Sequence, residues 1–362
     1  MDGSGGARFS AVQPAGTGRT VFVFSGQGSQ WAGMGRVLLE RAPVFRSVLE
    51  ACDAQVRRLR GESLLEELTA PEERTRLGSI EVSCPAIVAM ELGLAALWRS
   101  WGVEPVAVVG HSIGEVAAAH VAGVLSLEEA MQVICHQGDT IARTRGQGSM
   151  ALVGLTWEQA REVLVGHEGR LWRVIHASPE WTVVGGVPAA LEAVLSTLRQ
   201  RGVAWRRIES EVAAHCPLVD PHGEHLQGLL RGLRPGPAQR LLVSTVTGGP
   251  LAGEQMDAGY WVRNLAEPVL FSEAIAALLA RGHALFLEVS PHPLVTHSLE
   301  SCLRHAGSSG AALGSMRRRK DPSRELLATL RALSELGVRA RWVEVLRLLS
   351  SEDWLPVEPH AA

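Results

Sequence analysis

The stretch VVGHSIGE, at residues 108–115, contains the strongest single indication of the fold in this sequence. An apolar run precedes Gly110-His111-Ser112-Ile113-Gly114, and a helical pattern begins at Glu115. The glycines permit a sharp turn between strand and helix that exposes the serine hydroxyl, as in the G-x-S-x-G elbow. The amide of the residue after the serine then lies at a helix N-terminus, where it can donate to a developing oxyanion. The alternative is an ordinary tight turn with an incidental serine.

Apolar runs on both sides of this turn predict an α/β fold. The runs TVFVF at 20–24 and VAVV at 106–109 are typical of buried strands, and an apolar helical pattern covers about 84–101. The run LFLEV at 285–289 predicts a further strand. Strand, helix, strand, turn and helix in this order indicate parallel α/β winding.

A different pattern interrupts this winding and predicts an inserted subdomain. Short strand-like runs alternate with helical patterns, the strands near 151–155, 171–175, 182–185 and 205–208 and the helices near 157–165 and 189–201. The β-α-β-β-α-β order is the signature of a ferredoxin-like unit. We divide the chain into a disordered lead-in (1–19), a large subdomain (20–147 and 211–321), a small subdomain (148–210) and a C-terminal helical segment (322–362).

Composition limits the partners and the compartment. Of 362 residues, 46% are hydrophobic and 20% are charged, and the formal net charge is −3. This charge gives no general attraction for nucleic acid. Because we find neither an uninterrupted apolar run of about 18 residues nor the apolar segment of a secretory signal, we expect a cytoplasmic protein without a membrane partner. The five cysteines lack C-x-x-C spacing, which favours buried free thiols over a metal site.

A serine hydroxyl needs a base that removes its proton before it attacks a carbonyl. Spacing alone does not choose among the thirteen histidines. We expect His111 to point away from the serine beside it, and His120 and His136 to pack within helices. His215, in VAAHCPLVD, follows a predicted strand and has small neighbours that leave room for a substrate. On these grounds His215 is one candidate among several.

The loop SGQGSQ at residues 25–30 suggests a nucleotide site but does not fit one. The dinucleotide motif G-x-G-x-x-G requires glycine at position 31, where this sequence has Trp31. The glycines would instead allow a backbone amide, for example that of Gln27, to approach a reacting carbonyl.

Taken together, these motifs resemble the acyltransferase domains of modular polyketide synthases, relatives of malonyl-CoA:acyl carrier protein transacylase. The matching stretches, in the family's order, are FSGQGSQWAGMG, VVGHSIGEVAAAHVAGVLSLEEA, AAHC, YWVRNLAEPVLF and LEVSPHPLV. The resemblance covers about 20–350. It implies an α/β-hydrolase-like core with a parallel sheet and an inserted ferredoxin-like subdomain. It also implies a serine–histidine dyad that works by a ping-pong route without a metal or redox cofactor.

The resemblance also assigns residues. Ser112 matches the nucleophile and His215 the base, while Gln27 and Ile113 match the positions whose backbone amides form the oxyanion hole. The turn SPHP at 290–293, with His292, matches the segment whose backbone carbonyl is expected to orient the catalytic histidine. We place His111 among the substrate-binding residues.

Two departures from the family concern the substrate. Members that use malonyl or methylmalonyl groups carry an arginine on the helix after the elbow, where its fork binds the free carboxylate. This sequence has Gln137 there, and its helical spacing from Ile134 and Ile141 predicts an inward position rather than solvent. The tripeptide before the histidine, usually Tyr-Ala-Ser or His-Ala-Phe, is Val212-Ala213-Ala214. Together they predict a roomier, uncharged pocket that accepts monocarboxylic acyl groups.

We therefore predict a loading acyltransferase that moves a starter unit from acyl-CoA, its substrate, to an acyl carrier protein within a multidomain polyketide synthase. The first predicted strand begins near Met1, which favours a loading domain or a discrete enzyme. Arg263 and the run MRRRK at 316–320 are candidates for carrier protein contact, although charge runs are usually solvated. The alternatives are an acyl hydrolase that clears stalled carrier proteins, a carrier protein as donor, and a non-catalytic docking module.

Overall fold

A computed structural model describes residues 18–210 and 212–349 of the chain. The predicted lead-in up to residue 17 and the tail from residue 350 lie outside the described residues. The strands are β1 (Thr20–Phe24), β2 (Pro105–Gly110), β3 (Ser149–Val153), β4 (Leu171–Ser178), β5 (Trp181–Gly186), β6 (Trp205–Ile208), β7 (Leu241–Ser244), β8 (Gly249–Pro250), β9 (Leu285–Glu288) and β10 (Ala311–Gly314). The helices are α1 (Arg36–Arg41), α2 (Pro43–Arg60), α3 (Leu64–Thr69), α4 (Ile80–Ser100), α5 (Gly114–Val121), α6 (Leu127–Ala142), α7 (Trp157–Val163), α8 (Pro188–Gln200), α9 (Gly223–Leu229), α10 (Ala258–Ala266), α11 (Phe271–Leu279), α12 (Thr296–His305), α13 (Pro322–Glu335) and α14 (Trp342–Leu349).

The large subdomain is built on a six-stranded sheet in the order β10-β9-β1-β2-β7-β8. The strands from β10 to β7 are parallel, and β8 is antiparallel to β7. Phe24 at the end of β1 pairs with Gly110 at the end of β2, and Val23 pairs with Glu288 at the end of β9. The loops after these three strands therefore meet at one edge of the sheet, where α/β proteins place their ligand sites.

The small subdomain is a four-stranded antiparallel sheet in the order β4-β5-β3-β6, backed by α7 and α8. Its elements follow the predicted β-α-β-β-α-β order and lie within the predicted insertion. Strand β4 is joined to the large subdomain at the segment between α10 and α11. The amide of His176 donates to the carbonyl of Val269 (2.9 Å), and the Val269 amide donates to the carbonyl of Val174 (2.9 Å). The predicted fold class, a parallel α/β core with an inserted ferredoxin-like unit, is confirmed.

Helix α4 forms the centre of the helical layer. It is long and apolar enough by composition to cross a membrane, but 89% of its most apolar window is buried inside the protein, as in a core helix. Sequence patterning placed its start near residue 84, whereas it begins at Ile80. The difference arises because Pro85 lies inside the helix, where proline usually ends a helical pattern.

Arg60 compensates for this proline. Pro85 has no N–H, so the carbonyl of Glu81, four residues earlier, loses its helical donor. The guanidinium of Arg60 donates to that carbonyl and to the carbonyl of Cys135 on α6, and it pairs with Asp139 (2.7 Å). The Arg60 side chain is 13% exposed. A buried cation from α2 thus ties together the helices that carry the core.

We expect Arg60→Met to lower the free energy of unfolding by about 2–3 kcal/mol, because it leaves the Glu81 carbonyl without a donor and removes the link to α6. In a Pro85→Ala background, where the new amide can reach the Glu81 carbonyl, the cost should be smaller. Urea denaturation of the four proteins measures both values. Arg58→Met is the matched control, since Arg58 lies exposed beside Glu128 and should contribute little. Equal costs in both backgrounds would contradict this account.

Candidate active site

The turn after β2 is a strained elbow that projects Ser112. The φ of Ser112 is 57°, which lies in the left-handed region. A Cβ on Gly110 would lie 2.1 Å from the Glu115 amide nitrogen, and a Cβ on Gly114 would lie 2.4 Å from the Phe24 carbonyl oxygen. Only glycine fits at either position, so the two glycines of the motif allow the turn to close against β1.

His215 is the histidine that contacts this serine. Its Nε2 lies 2.8 Å from the Ser112 Oγ, and its Nδ1 lies 3.2 Å from the carbonyl oxygen of Glu267. Because that carbonyl can only accept, Nδ1 carries the proton and Nε2 presents its lone pair to the serine hydroxyl. This is the arrangement of a nucleophile and its general base.

The backbone around His215 fixes its place. The φ of His215 is 59°, and its amide donates to the carbonyl of Leu265 at 2.7 Å. The hydroxyl of Thr144 accepts from the Ala213 amide (2.9 Å) and donates to the Ala213 carbonyl (3.0 Å). The loop that carries His215 is therefore held on one side by α10 and on the other by the end of α6.

The assignment of His292 as the residue that orients His215 is wrong. The amide of Arg318 donates to its Nδ1 at 3.2 Å, and its carbonyl accepts from the Ser290 hydroxyl at 3.0 Å. The orienting carbonyl belongs instead to Glu267, the residue after α10. The last carbonyls of a helix have no helical donor, so they are free to accept from a side chain.

Burial lowers the pKa of His215 to about 4, while the backbone carbonyls of Glu267 and Asn264 favour its protonated form and oppose this shift. Only 4% of His215 is exposed. An imidazole with this pKa is neutral at pH 7 and can accept a proton. Burial also lowers the pKa of His111 to about 4, with a smaller contribution from the nearby His215.

The other predicted site residues surround the elbow. Within the part of the chain that the structure describes, the amides of Gln27 and Ile113 have no hydrogen-bond partner, as an oxyanion hole requires. The tripeptide at 212–214 is buried. His111 packs its ring edge-on against Phe271, with ring centroids 5.4 Å apart, and its contact with substrate stays a prediction.

Gln137 faces inward, as its helical spacing predicts, and is 0% exposed. Its Nε2 donates to the carbonyl of Trp261 (3.2 Å) and to Oδ1 of Asn264 (3.0 Å). Its Oε1 is buried and has no hydrogen-bond partner among the described residues. Asn264 in turn donates through Nδ2 to the Ser112 carbonyl (3.3 Å). Our reading of the sequence did not single out Asn264, although it lies in the quoted stretch YWVRNLAEPVLF.

An open cleft of about 610 Å³ adjoins His215 between the two subdomains. Residues of both subdomains line it, among them Trp157, Trp172, Arg173, His215, Arg263 and Glu267. The guanidinium of Arg173 lies 4.2 Å from the ring centroid of Trp157. Arg263 pairs with Glu267 at 2.8 Å. The cleft gives a substituent bound near His215 a path to solvent.

Residues 21–340, nearly the whole described chain, match the acyl transferase domain family. The chain belongs to this family. The acyl transferase domain is 40% identical over 329 residues to a spectinabilin polyketide synthase system protein of Streptomyces orinoci. It is 37% identical over 324 residues to an erythronolide synthase of Saccharopolyspora erythraea. These matches cover 91% and 89% of this chain but only 9% of each relative, so the domain spans about a tenth of their length.

Solved structures give the same result for the acyl transferase domain. The acyltransferase domain from module 8 of the salinomycin polyketide synthase is 37% identical, with a TM-score of 0.89 over 92% of this chain and 78% of that one. A loading acyltransferase from the avermectin modular polyketide synthase is 35% identical, with a TM-score of 0.83 over 87% of this chain and 99% of that one. The protein is an acyltransferase domain of the polyketide synthase type.

The low pKa of His215 predicts the pH dependence of Ser112 acylation. A histidine whose pKa is lowered stays neutral, and competent as a base, until the pH falls through about 4. The acylation rate at subsaturating thioester should therefore stay constant from about pH 8 to 5 and decline below that range. Rapid-quench measurements test this, with circular dichroism at each pH as the control for folding. A half-maximal rate near the ordinary histidine pKa of about 6.5 would contradict the prediction.

Proposed function

We propose that this domain loads an uncharged monocarboxylic acyl group from its CoA thioester onto the phosphopantetheine thiol of an acyl carrier protein. The transfer chemistry rests on the 2.8 Å contact between Ser112 Oγ and His215 Nε2. The choice of acyl group rests on one observation, the buried neutral Gln137 at the position where carboxylate-binding relatives carry arginine.

In the first half-reaction, His215 Nε2 takes the hydroxyl proton as Ser112 Oγ attacks the thioester carbonyl. The amides of Gln27 and Ile113 stabilise the resulting oxyanion. The C–S bond then breaks, and the departing CoA thiolate takes the proton from His215. The acyl group is left as an ester on Ser112.

In the second half-reaction, His215 takes the proton of the phosphopantetheine thiol, and the sulfur attacks the ester carbonyl. The C–O bond breaks, and Ser112 Oγ recovers its proton from His215. Each half exchanges one acyl bond for another, so neither a metal nor a redox cofactor is required. Because His215 is deeply buried and neutral, it can serve as base in both halves without a change of position.

The surroundings of Gln137 disfavour a dicarboxylic substrate. An arginine there would offer a charged two-pronged donor to a free carboxylate, but both Nε2 hydrogens of Gln137 are already engaged by Trp261 and Asn264. The remaining group, Oε1, is an acceptor and repels a carboxylate. A malonyl group would lose about 1.5–3 kcal/mol of charge-assisted hydrogen bonding and would bring an unpaired charge into a buried site.

A carrier protein is the acceptor that the relatives suggest, since they are polyketide synthases many times longer than this domain. Arg318 lies at the rim of the site, where its guanidinium donates to the carbonyls of Gly28 (3.4 Å) and Gln30 (3.0 Å). Arg319 and Lys320 beside it are exposed. These side chains offer a positive surface to an acidic carrier protein, whereas Arg263 is already paired with Glu267.

We expect Ser112→Ala to abolish covalent acylation, because no other hydroxyl is paired with His215 among the described residues. Intact-protein mass spectrometry after exposure to a panel of acyl-CoAs measures the adduct. In the wild type, the adduct should persist until carrier protein is added. Rapid loss of the adduct to water alone would identify an acyl hydrolase instead, and an adduct on the alanine variant would exclude Ser112 as nucleophile.

Gln137→Arg should shift the preference toward malonyl-CoA or methylmalonyl-CoA. The guanidinium would bind the free carboxylate, worth up to about 2–3 kcal/mol in bidentate geometry, and would be buried unpaired beside an uncharged chain. The measurement is the ratio of acylation rates with propionyl-CoA and methylmalonyl-CoA. Gln132→Arg, on the outer face of the same helix, is the matched control. A wild type that already prefers methylmalonyl-CoA would refute the proposed substrate class.

A further inference from the structure

Two buried side-chain amides connect α6 to the nucleophile elbow. Nε2 of Gln137 donates to Oδ1 of Asn264 at 3.0 Å, and Nδ2 of Asn264 donates to the Ser112 carbonyl at 3.3 Å. Gln137 and Asn264 are 0% and 2% exposed. Gln137, which we propose contacts the acyl chain, is therefore linked to the reacting serine through one intermediate side chain.

The order of donors and acceptors fixes both amides in one orientation. The Ser112 carbonyl can only accept, so Asn264 turns its Nδ2 toward the serine and its Oδ1 toward Gln137. Gln137 must then present its Nε2, which also donates to the carbonyl of Trp261 at 3.2 Å. If residue 137 loses its donor, the bond to Ser112 is the one side-chain hydrogen bond that still holds the Asn264 amide in this orientation among the described residues.

The group at the end of this chain is a strained one. Ser112 has a φ of 57°, and such backbone persists only where its surroundings determine it from several sides. Its carbonyl accepts from the Glu115 amide (3.0 Å) as well as from Asn264. Asn264 also belongs to α10, whose end holds His215 through the carbonyls of Leu265 and Glu267. Asn264 therefore fixes the serine relative to the same helix end that fixes the histidine.

We propose that Asn264 is a positioning residue through which Gln137 holds the Ser112 elbow at hydrogen-bond distance from His215. The proposal rests on the proposed function only in taking Ser112 as nucleophile and His215 as base. Residue 137 then acts on two properties of the enzyme. The presence or absence of a charge at residue 137 selects among acyl groups. Its N–H donor, acting through Asn264, sets the reactivity of Ser112 toward every acyl group.

A small uncharged fluorophosphonate tests this reactivity without an acyl chain in the pocket. Ser112 Oγ forms a bond to phosphorus, fluoride leaves, and His215 takes the hydroxyl proton. We expect Asn264→Ala and Gln137→Met each to slow labelling at saturating reagent by about 10- to 100-fold, with the half-saturating concentration unchanged. Gln132→Met is the matched control, since that amide bonds the Leu229 carbonyl away from the site, and it should label like wild type.

The double variant separates a shared role from two independent ones. If Gln137 acts through Asn264, the double variant should label as slowly as Asn264→Ala alone. A double variant slowed by the product of the two single factors would overturn the proposal, as would wild-type labelling of Asn264→Ala. If the alanine variant does not fold, Asn264→Asp keeps its volume and should slow labelling as well, because it sets an acceptor against the Ser112 carbonyl.

These outcomes do not depend on which acyl donor the enzyme uses. A wild type that prefers methylmalonyl-CoA would refute the proposed monocarboxylic substrate. The labelling rates of the Asn264 and Gln137 variants would still decide the positioning role. Normal labelling of either single variant would end the positioning role, whatever the acyl preference.

Discussion

The absence of a side chain at Gly110 and Gly114 is the constraint on which the site is built. Because the turn between them closes to van der Waals contact with the end of β1, Ser112 is forced out of the plane of the sheet and toward its carboxyl edge. A larger residue at Gly110 would push the end of β2 away from the start of α5, and a larger residue at Gly114 would push α5 away from the end of β1. The loops after β1 and β9 then lie within reach of the serine, since both strands are in register with this edge.

Buried carboxyl groups hold the loops that follow β9 and β7. Glu288, at the end of β9, accepts from the amides of Leu294 (2.6 Å), Val295 (3.1 Å) and Thr296 (2.7 Å), and so organises the turn that follows the strand. Glu115, just past the elbow, accepts from the amide of Thr245 (2.6 Å) and from the Tyr260 hydroxyl. Burial raises the pKa of Glu115 to about 7, so this carboxyl takes up a proton far more readily than an exposed glutamate. Each carboxyl is buried and hydrogen-bonded by the loop that it supports, which is how a protein holds polar groups in its interior.

Local patterns in the sequence predicted most of the architecture. Strands β1 and β6 begin and end at the residues that the sequence pattern predicts, and the small subdomain follows its predicted order. Strands β7, β8 and β10 were not predicted. Helix α4 begins four residues early because Arg60, distant in sequence, supplies the donor that Pro85 lacks.

In the candidate site as well, features set by local sequence could be predicted and features set by distant residues could not. The elbow and the inward position of Gln137 follow from local spacing, so they could be predicted. The carbonyl that orients His215 and the contacts of Asn264 depend on where α10 ends in space. The family resemblance had assigned that orienting role to the turn of His292 instead. A backbone carbonyl has no residue type, so a motif cannot reveal which one a histidine will meet.

The hydrogen bonds between Val269 and β4 connect the small subdomain to the segment that orients His215. Val269 is bonded on both sides to β4 of the small subdomain, and it lies two residues after the Glu267 carbonyl that steers the imidazole of His215. The chain between them includes Pro268, which limits how much that short link can flex. A displacement of β4 relative to the large subdomain would therefore be transmitted, through the three consecutive residues 267–269, to the peptide that orients His215.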